Sequence, residues 1–367
     1  MLKNGIELRT LMNPLNQITK IHQSGYKAVL AITGGGTGAI NSLLEHGGGS
    51  AFLLEAIVPY GQESLAGFIG HVPEKYVSDL TARQLAMAAY IKAGKLTKEK
   101  VVGFGATCSL AKTDERENRK HVVYLAYQTR DTTCTFHTEL DNTRELEEAE
   151  VSQLIIDFLG DAVTDTTNIE PTAKIVADAG LVNILHSPGC YIPKPLHRYP
   201  ATKRFILSGS FNPLHDGHKE MVQTVLEIYD AHAAFELSIT NVDKPPLDYV
   251  EIEQRSAQFD GNLVLTNAPL FIDKARLNPG VTFLVGIDTW ERIIDPKYYS
   301  GSVSDRNKMI AELENLDIAF MVFSREINGA IKSLASPWGK NGGFAYSATE
   351  HRKYAHVSST QLRQYEA

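Results

Sequence analysis

Residues 204–218 read Arg204-Phe205-Ile206-Leu207-Ser208-Gly209-Ser210-Phe211-Asn212-Pro213-Leu214-His215-Asp216-Gly217-His218. The first five form a short apolar run of strand length. Gly209, Asn212 and Pro213 are turn formers, each for its own backbone reason. After them the spacing predicts a helix from Gly217 to Ala231. A strand that breaks into a tight turn and opens a helix is the first half of a parallel β–α–β unit. The pattern then repeats. Strands are predicted at Phe235 to Thr240, Leu263 to Thr266, Thr282 to Val285 and Ile318 to Phe323, with a helix at Tyr249 to Phe259. Such alternation implies a mainly parallel sheet covered on both faces.

The first half of the chain alternates in the same way. Lys27 to Thr33 and Ala51 to Val58 read as strands, with Gly34-Gly35-Gly36 and a helix through Leu44 between them. Thr81 to Ala93 is rich in Ala, Leu and Met and reads as a helix, with Ser78 or Asp79 as its cap and Gly94 as its stop. Val101 to Phe104, His121 to Thr129 and Thr133 to Leu140 read as strands, the last two as a hairpin. Thr143 to Ala162 is acidic in its first turns and then apolar at helical spacing, the pattern of a long helix. From 163 to 202 Thr, Asp and Pro accumulate, which reads as a connection with one small element in it.

Composition narrows the function classes. A chain of 367 residues is comfortable for two cores. The formal net charge of −7 argues against broad nucleic-acid binding, which shows as a basic excess. It does not exclude a small anionic ligand, because helix ends and a few cations build such a site locally. The three cysteines, Cys108, Cys134 and Cys190, are odd in number and widely spaced. That argues for a reducing compartment and against a disulfide framework or zinc site. No signal-like stretch opens the chain and no run approaches the roughly 20 apolar residues that span a bilayer. The expectation is a cytoplasmic protein without a membrane partner.

The turn at 209–218 carries the chemistry. Nucleotidyl transfer asks a protein to hold a triphosphate in line and to neutralise developing charge. A helix amino terminus offers free N–H groups and a positive partial charge. Gly209 and Gly217 permit close backbone approach. His215 and His218, three apart, share one side of the helix start. Their ring N–H groups suit phosphoryl oxygens.

Gly209 to His218 resembles the HxGH motif of the nucleotidyltransferase superfamily. Gly209-Ser210-Phe211-Asn212-Pro213 is similar to its nicotinamide or nicotinate mononucleotide adenylyltransferase branch. Val357-Ser358-Ser359-Thr360-Gln361-Leu362-Arg363 resembles that superfamily's ISSTxIR signature. Phe283 to Trp290, with Gly286-Ile287-Asp288, resembles its strand and GxD turn. The resemblance implies His215, His218, Ser359 and Arg363 as catalytic residues. It implies Gly209, Ser210, Phe211, Asn212, Gly217, Gly286, Asp288, Ser358 and Thr360 around the nucleotide. The acceptor falls to Asn241 and Lys244, to Trp290 and to Tyr299, which stands where the family often has Trp. Taken alone, Trp290 reads more as core than as a stacking platform, and Tyr298 and Tyr299 read equally as a cover on a helix end. Mg²⁺ arrives with ATP and needs few protein ligands.

Residues about 20 to 140 resemble the CinA carboxy-terminal family, whose active members hydrolyse the amide of nicotinamide mononucleotide. The matching stretches are Thr33-Gly34-Gly35, Gly49-Ser50-Ala51-Phe52, Val58-Pro59-Tyr60 and Val77-Ser78. Where that family places a nucleophilic Ser this chain has Ala31, and where it carries a Lys this chain has Leu65. Its later glycine-rich loop is reduced here to Gly103-Phe104-Gly105-Ala106-Thr107. An amidase needs an activated nucleophile, so none is expected here. The Gly34 to Gly38 turn reads as a phosphate cradle or as a purely structural turn.

The expected fold is α/β in two domains. Residues 1–162 form a CinA-like α/β/α sandwich without amidase activity, 163–202 a linker, and 203–367 a Rossmann-like nucleotidyltransferase domain. The expected reaction is adenylyl transfer from ATP to nicotinamide or nicotinate mononucleotide. Adenylyl or cytidylyl transfer to another small phosphate ester such as phosphopantetheine stays open. So do a non-catalytic nucleotide sensor or scaffold and a homo-oligomeric state.

Overall fold

The structure is a computed structural model that describes residues 14–112, 120–164, 166–191, 203–240, 245–327, 329–339, 343–348 and 356–357. The chain divides into two compact units. Unit 1 lies within residues 1–178 and 243–250, and unit 2 within 179–242 and 251–367.

Unit 1 runs α1 (Pro14–His22), β1 (Tyr26–Thr33), α2 (Gly38–Glu45), β2 (Leu53–Ile57), α3 (Gln62–Ile69), α4 (Asp79–Leu96), β3 (Lys100–Ser109), β4 (His121–Gln128), β5 (Thr132–Leu140), α5 (Arg144–Val163) and β6 (Ala173–Val176). Its sheet has the order β2-β1-β3-β4-β5-β6. The first three strands are parallel and the rest form an antiparallel meander. Side chains along β1 alternate between faces. Ala28, Leu30 and Ile32 join the core built with α1, α2 and α5. Ala31 packs with α3 and Leu85 of α4, and Val29 with Ala89 and Ala93 of α4. Both faces are therefore covered, which is why β1 reads as an unbroken apolar run.

The helix α4 starts where Ser78 accepts the N–H of Thr81 at 3.2 Å. It does not stop at Gly94 but continues to Leu96, with Thr97 as its carboxy-terminal cap. The 103–107 stretch is not a loop. It is the interior of β3, and a Cβ at Gly103 or Gly105 would run into the backbone of Tyr90, Ala86 or Ala82. These glycines let α4 lie directly on the sheet, and the small side chains Ala82, Ala86, Ala89 and Ala93 complete the fit.

A late stretch of chain completes this unit. Asp248 forms an ion pair with Arg83 at 2.5 Å, their side chains 5% and 4% exposed. Arg83 also binds Asp79 at 2.8 Å. Tyr249 donates its N–H to Thr133 Oγ1 at 3.0 Å and its hydroxyl to the carbonyl of Arg130 at 2.6 Å.

Unit 2 runs α6 (Ala179–His186), β7 (Cys190–Tyr191), β8 (Lys203–Gly209), α7 (Asp216–Ile228), β9 (Ala231–Ser238), α8 (Tyr249–Ser256), β10 (Leu263–Thr266), α9 (Phe271–Leu277), β11 (Thr282–Gly286), α10 (Ile287–Ile294), α11 (Val303–Asn315), β12 (Ala319–Phe323), the small hairpin β13 (Arg325–Ile327) and β14 (Ala330–Lys332), and β15 (Ala345–Ser347). The first two residues of α8 fall in unit 1. Within 163–202, read from sequence as a connection, the described part holds β6, α6 and β7.

The larger sheet has the order β15-β12-β11-β8-β9-β10-β7. All neighbours are parallel except β7, which runs antiparallel to β10. Counted from β8, the parallel strands follow the order 3-2-1-4-5-6 of the doubly wound fold. Ile206, Phe283, Val285, Phe320 and Val322 face α9, α10 and α11, with Trp290 and Leu313 at the centre of that core. Along β8 and β9 lies α7, which buries Met221, Val222 and Val225. It ends at Ile228, three residues before the predicted end, because Ala231 already begins β9. Among the described residues no helix is long and apolar enough to cross a membrane.

Candidate functional site

In a doubly wound sheet the chain leaves β8 to one side through β9 and β10, then crosses to the other side with β11. The crevice lies at that reversal, beyond the carboxyl ends of the strands. Here the register sets Leu284 beside Leu207 and Gly286 beside Phe323, so β8, β11 and β12 end nearly level. Three segments leave the sheet at this edge: the turn after Gly209, the helix α10 after Gly286, and the chain at Arg325.

The turn is anchored by Phe211. Its backbone has φ of 44°, and its ring is buried against His218, Phe235 and Phe259 at centroid distances of 5.0, 5.6 and 5.2 Å. A Cβ at Gly209 would stand 2.7 Å from that ring. Gly209 therefore makes room for Phe211. The Phe211 side chain has no open face, so a nucleotide would meet only backbone there. Ser210 is exposed and Asn212 half-buried.

His215 is the amino-terminal cap of α7, with extended backbone, and Gly217 is buried in the first turn. The His215 and His218 rings stack with centroids 3.7 Å apart. His215 donates its backbone N–H to His218 Nδ1 at 3.3 Å. In the neutral ring that bond puts the His218 proton on Nε2. The His215 side chain in turn accepts the backbone N–H of His218, so the two stacked imidazoles cap the helix amino terminus, whose positive end suits a phosphate chain.

On the neighbouring strand, Gly286 caps α10 and Asp288 lies in its first turn. Arg325 holds the Asp288 carboxylate at 2.8 Å, the two side chains 30% and 41% exposed. Sequence reading missed Arg325. Its signal is a cation placed just beyond an apolar strand, at the carboxyl edge of the sheet. Trp290 is 1% exposed and packs edge-on to Trp338 at 5.6 Å, so its ring serves the core and not an acceptor. Tyr299 donates its hydroxyl to the carbonyl of Ile293 at 2.7 Å and leans on the same core. The exposed ring of that pair is Tyr298, flanked by Lys297 at 4.9 Å and Arg292 at 5.9 Å. Asn241, Lys244, Ser358, Ser359, Thr360 and Arg363 lie outside the described residues. Among the described residues no group of three or more His, Cys, Asp or Glu side chains is arranged to hold a metal ion.

In unit 1, Ala31 and Leu65 occur together in one buried apolar cluster with Ile69 and Leu85. The two positions where the resembling family carries a nucleophilic Ser and a Lys are thus filled by hydrocarbon here. The Gly34–Gly38 turn is also satisfied from within. Glu148 of α5 accepts the N–H groups of Gly36 and Thr37, each at 2.8 Å. A phosphate would have to displace that carboxylate, so the cradle reading of this turn gives way to the structural one. A cavity of about 340 Å³ beside it is lined by Tyr60, Arg144, Glu145 and Glu148 among others.

No family model matches the chain, and no curated protein matches it. Solved structures give faint likenesses. The competence-damaged protein (CinA) superfamily protein of Klebsiella pneumoniae is 14% identical with a TM-score of 0.36, over 42% of this chain and 100% of that one. The Enterobacter cloacae protein of that superfamily is 13% identical with a TM-score of 0.36, over 45% and 99%. The competence/damage inducible protein CihA of Agrobacterium tumefaciens is 23% identical with a TM-score of 0.32, over 40% and 90%.

Proposed function

We propose that unit 2 transfers an adenylyl group from MgATP to nicotinamide or nicotinate mononucleotide and releases pyrophosphate. An oxygen of the acceptor phosphate attacks the α-phosphorus. The bond from that phosphorus to the bridging oxygen breaks, and the electron pair leaves with pyrophosphate. No side-chain nucleophile is required. His218 Nε2–H, His215 and the α7 amino terminus take up the charge that moves onto the leaving group. Mg²⁺ comes as part of the substrate, held by phosphate oxygens and water. The single observation that carries the reading is the stacked His215–His218 pair at the helix start that flanks the β8–β11 reversal. The pyridine acceptor rests on the sequence resemblance alone. Unit 1 serves as a binding or regulatory module without amidase chemistry, a reading supported by the apolar cluster around Ala31 and Leu65.

The test is pyrophosphate release from MgATP with a panel of acceptors: nicotinamide mononucleotide, nicotinate mononucleotide and phosphopantetheine. Release with a pyridine mononucleotide is expected, and His218→Ala should lower it by about 100-fold or more, the scale for removing a preorganised charge-stabilising donor. Unchanged turnover in that variant would sink the mechanism. ATP binding with no release for any acceptor would make unit 2 a nucleotide sensor.

A further inference from the structure

We infer that Gln258 and Arg255 are positioning residues that hold the Ser210–Leu214 backbone in its ligand-ready shape; this rests on the triphosphate reading of that turn. The turn lies between β8 and α7 and belongs to neither. Three of its backbone groups are held by these two side chains. Gln258 Oε1 accepts the N–H of Leu214 at 2.7 Å, and Gln258 Nε2 donates to the carbonyl of Phe211 at 2.9 Å. One planar amide therefore brackets Phe211 to Leu214, the stretch that contains Asn212-Pro213. Arg255 Nη1 donates to the carbonyl of Ser210 at 2.8 Å. The other edge of the Arg255 guanidinium is pinned on Glu251, with Nε at 2.9 Å and Nη2 at 2.6 Å from one carboxylate oxygen. That second grip stops the guanidinium from swinging away.

The residue types matter. Glutamine carries a donor and an acceptor side by side in one neutral group. A glutamate at 258 would keep the Leu214 bond, lose the Phe211 bond and set a negative charge against the turn. A leucine would lose both bonds at similar size. Lysine at 255 would reach Ser210 but lack the fork that grips Glu251. Bracing with neutral and cationic groups keeps the turn hospitable to a polyanion, where a carboxylate brace would repel it.

The experiment uses the full chain, wild type and Gln258→Leu, Gln258→Glu and Arg255→Lys. MgATP affinity is read by calorimetry, the turn by hydrogen exchange at the Leu214 amide, and folding by thermal melting. Gln258→Leu should weaken MgATP roughly tenfold, the scale of one hydrogen bond, and speed Leu214 exchange with the melting temperature unchanged. Gln258→Glu should keep Leu214 protected yet bind MgATP as weakly or more weakly. A purely structural brace would not produce that split. Arg255→Lys should weaken MgATP with Leu214 still protected. Faster Leu214 exchange in Gln258→Leu with wild-type MgATP affinity overturns the inference and leaves the triphosphate reading standing. Unchanged Leu214 exchange in that variant overturns the brace itself. A wild-type protein that binds no MgATP fails the triphosphate reading and removes the inference with it.

Discussion

Gly209 and Phe211 have to be understood as one contact. From sequence, a glycine before a phosphate turn implies a ligand that comes close to the backbone. In the folded chain the first thing that comes close is the Phe211 ring, 2.7 Å from where a Cβ would stand. The ring in turn rests on Phe235 and Phe259 and touches His218 edge-on. Removing it empties the space under the turn. Phe211→Ala should cost about 3–5 kcal/mol of unfolding free energy, as for other buried aromatics, measured by urea denaturation. It should also release His218 from its packed rotamer, so MgATP affinity should fall along with stability. A variant that melts earlier but binds MgATP normally would show that the ring supports the core and not the site. The turn between β8 and α7 was legible because Gly, Asn and Pro are turn formers for short-range backbone reasons. The burial of Phe211 was not, because an aromatic at a site and an aromatic in a core look alike until the surrounding elements are placed; Trp290, which by itself reads more as core than as a stacking platform, is buried.

At the scale of elements, strands with continuous apolar runs were legible. Leu263–Thr266 coincides with its predicted limits, and β8, β11 and β12 differ from theirs by one or two residues. Helices that escaped reading were short or highly charged. In α10 only Ile287, Trp290 and Ile293 are buried, three positions with too little length to show a period. The charged surface of α11 hides Met309 and Leu313 in the same way. Gly94 illustrates a different failure. Glycine commonly ends helices in a left-handed conformation, so it reads as a stop. Here it sits inside α4, with open space where a Cβ would go and no positive φ. The two readings predict opposite signs. Gly94→Ala in a helix interior should stabilise by about 0.5–1 kcal/mol, since alanine loses less backbone entropy. At a left-handed stop it should destabilise. A thermal melt of that one variant decides between them.

For the whole molecule, the sequence order of segments is not their order in space. Residues 203–367 read as one domain because strand–helix alternation continues through them without a break in composition. Nothing local marks 243–250 as part of unit 1, since the partners of Asp248 and Tyr249 lie more than a hundred residues earlier in the chain. Only tertiary pairing reveals it. The energetics of that pairing are testable. Arg83 is 4% exposed and pairs with both Asp79 and Asp248, so it loses a carboxylate when Asp248 is removed. Breaking a buried pair from one side typically costs about 3–5 kcal/mol, because the remaining charge is left poorly solvated. Asp79 still holds Arg83, so Asp248→Leu should fall near the lower end, about 3 kcal/mol. Replacing both partners, Arg83→Met with Asp248→Leu, removes the stranded charge. Asp79, one-third exposed, can then turn to water. The double variant should therefore recover a substantial part of the loss, giving a coupling well above the scatter of independent sites, about 0.3–0.5 kcal/mol. Urea denaturation of the four chains in the cycle measures it. Additive losses would mean that the late segment is held by Tyr249 and its two hydrogen bonds, with the ion pair contributing nothing of its own.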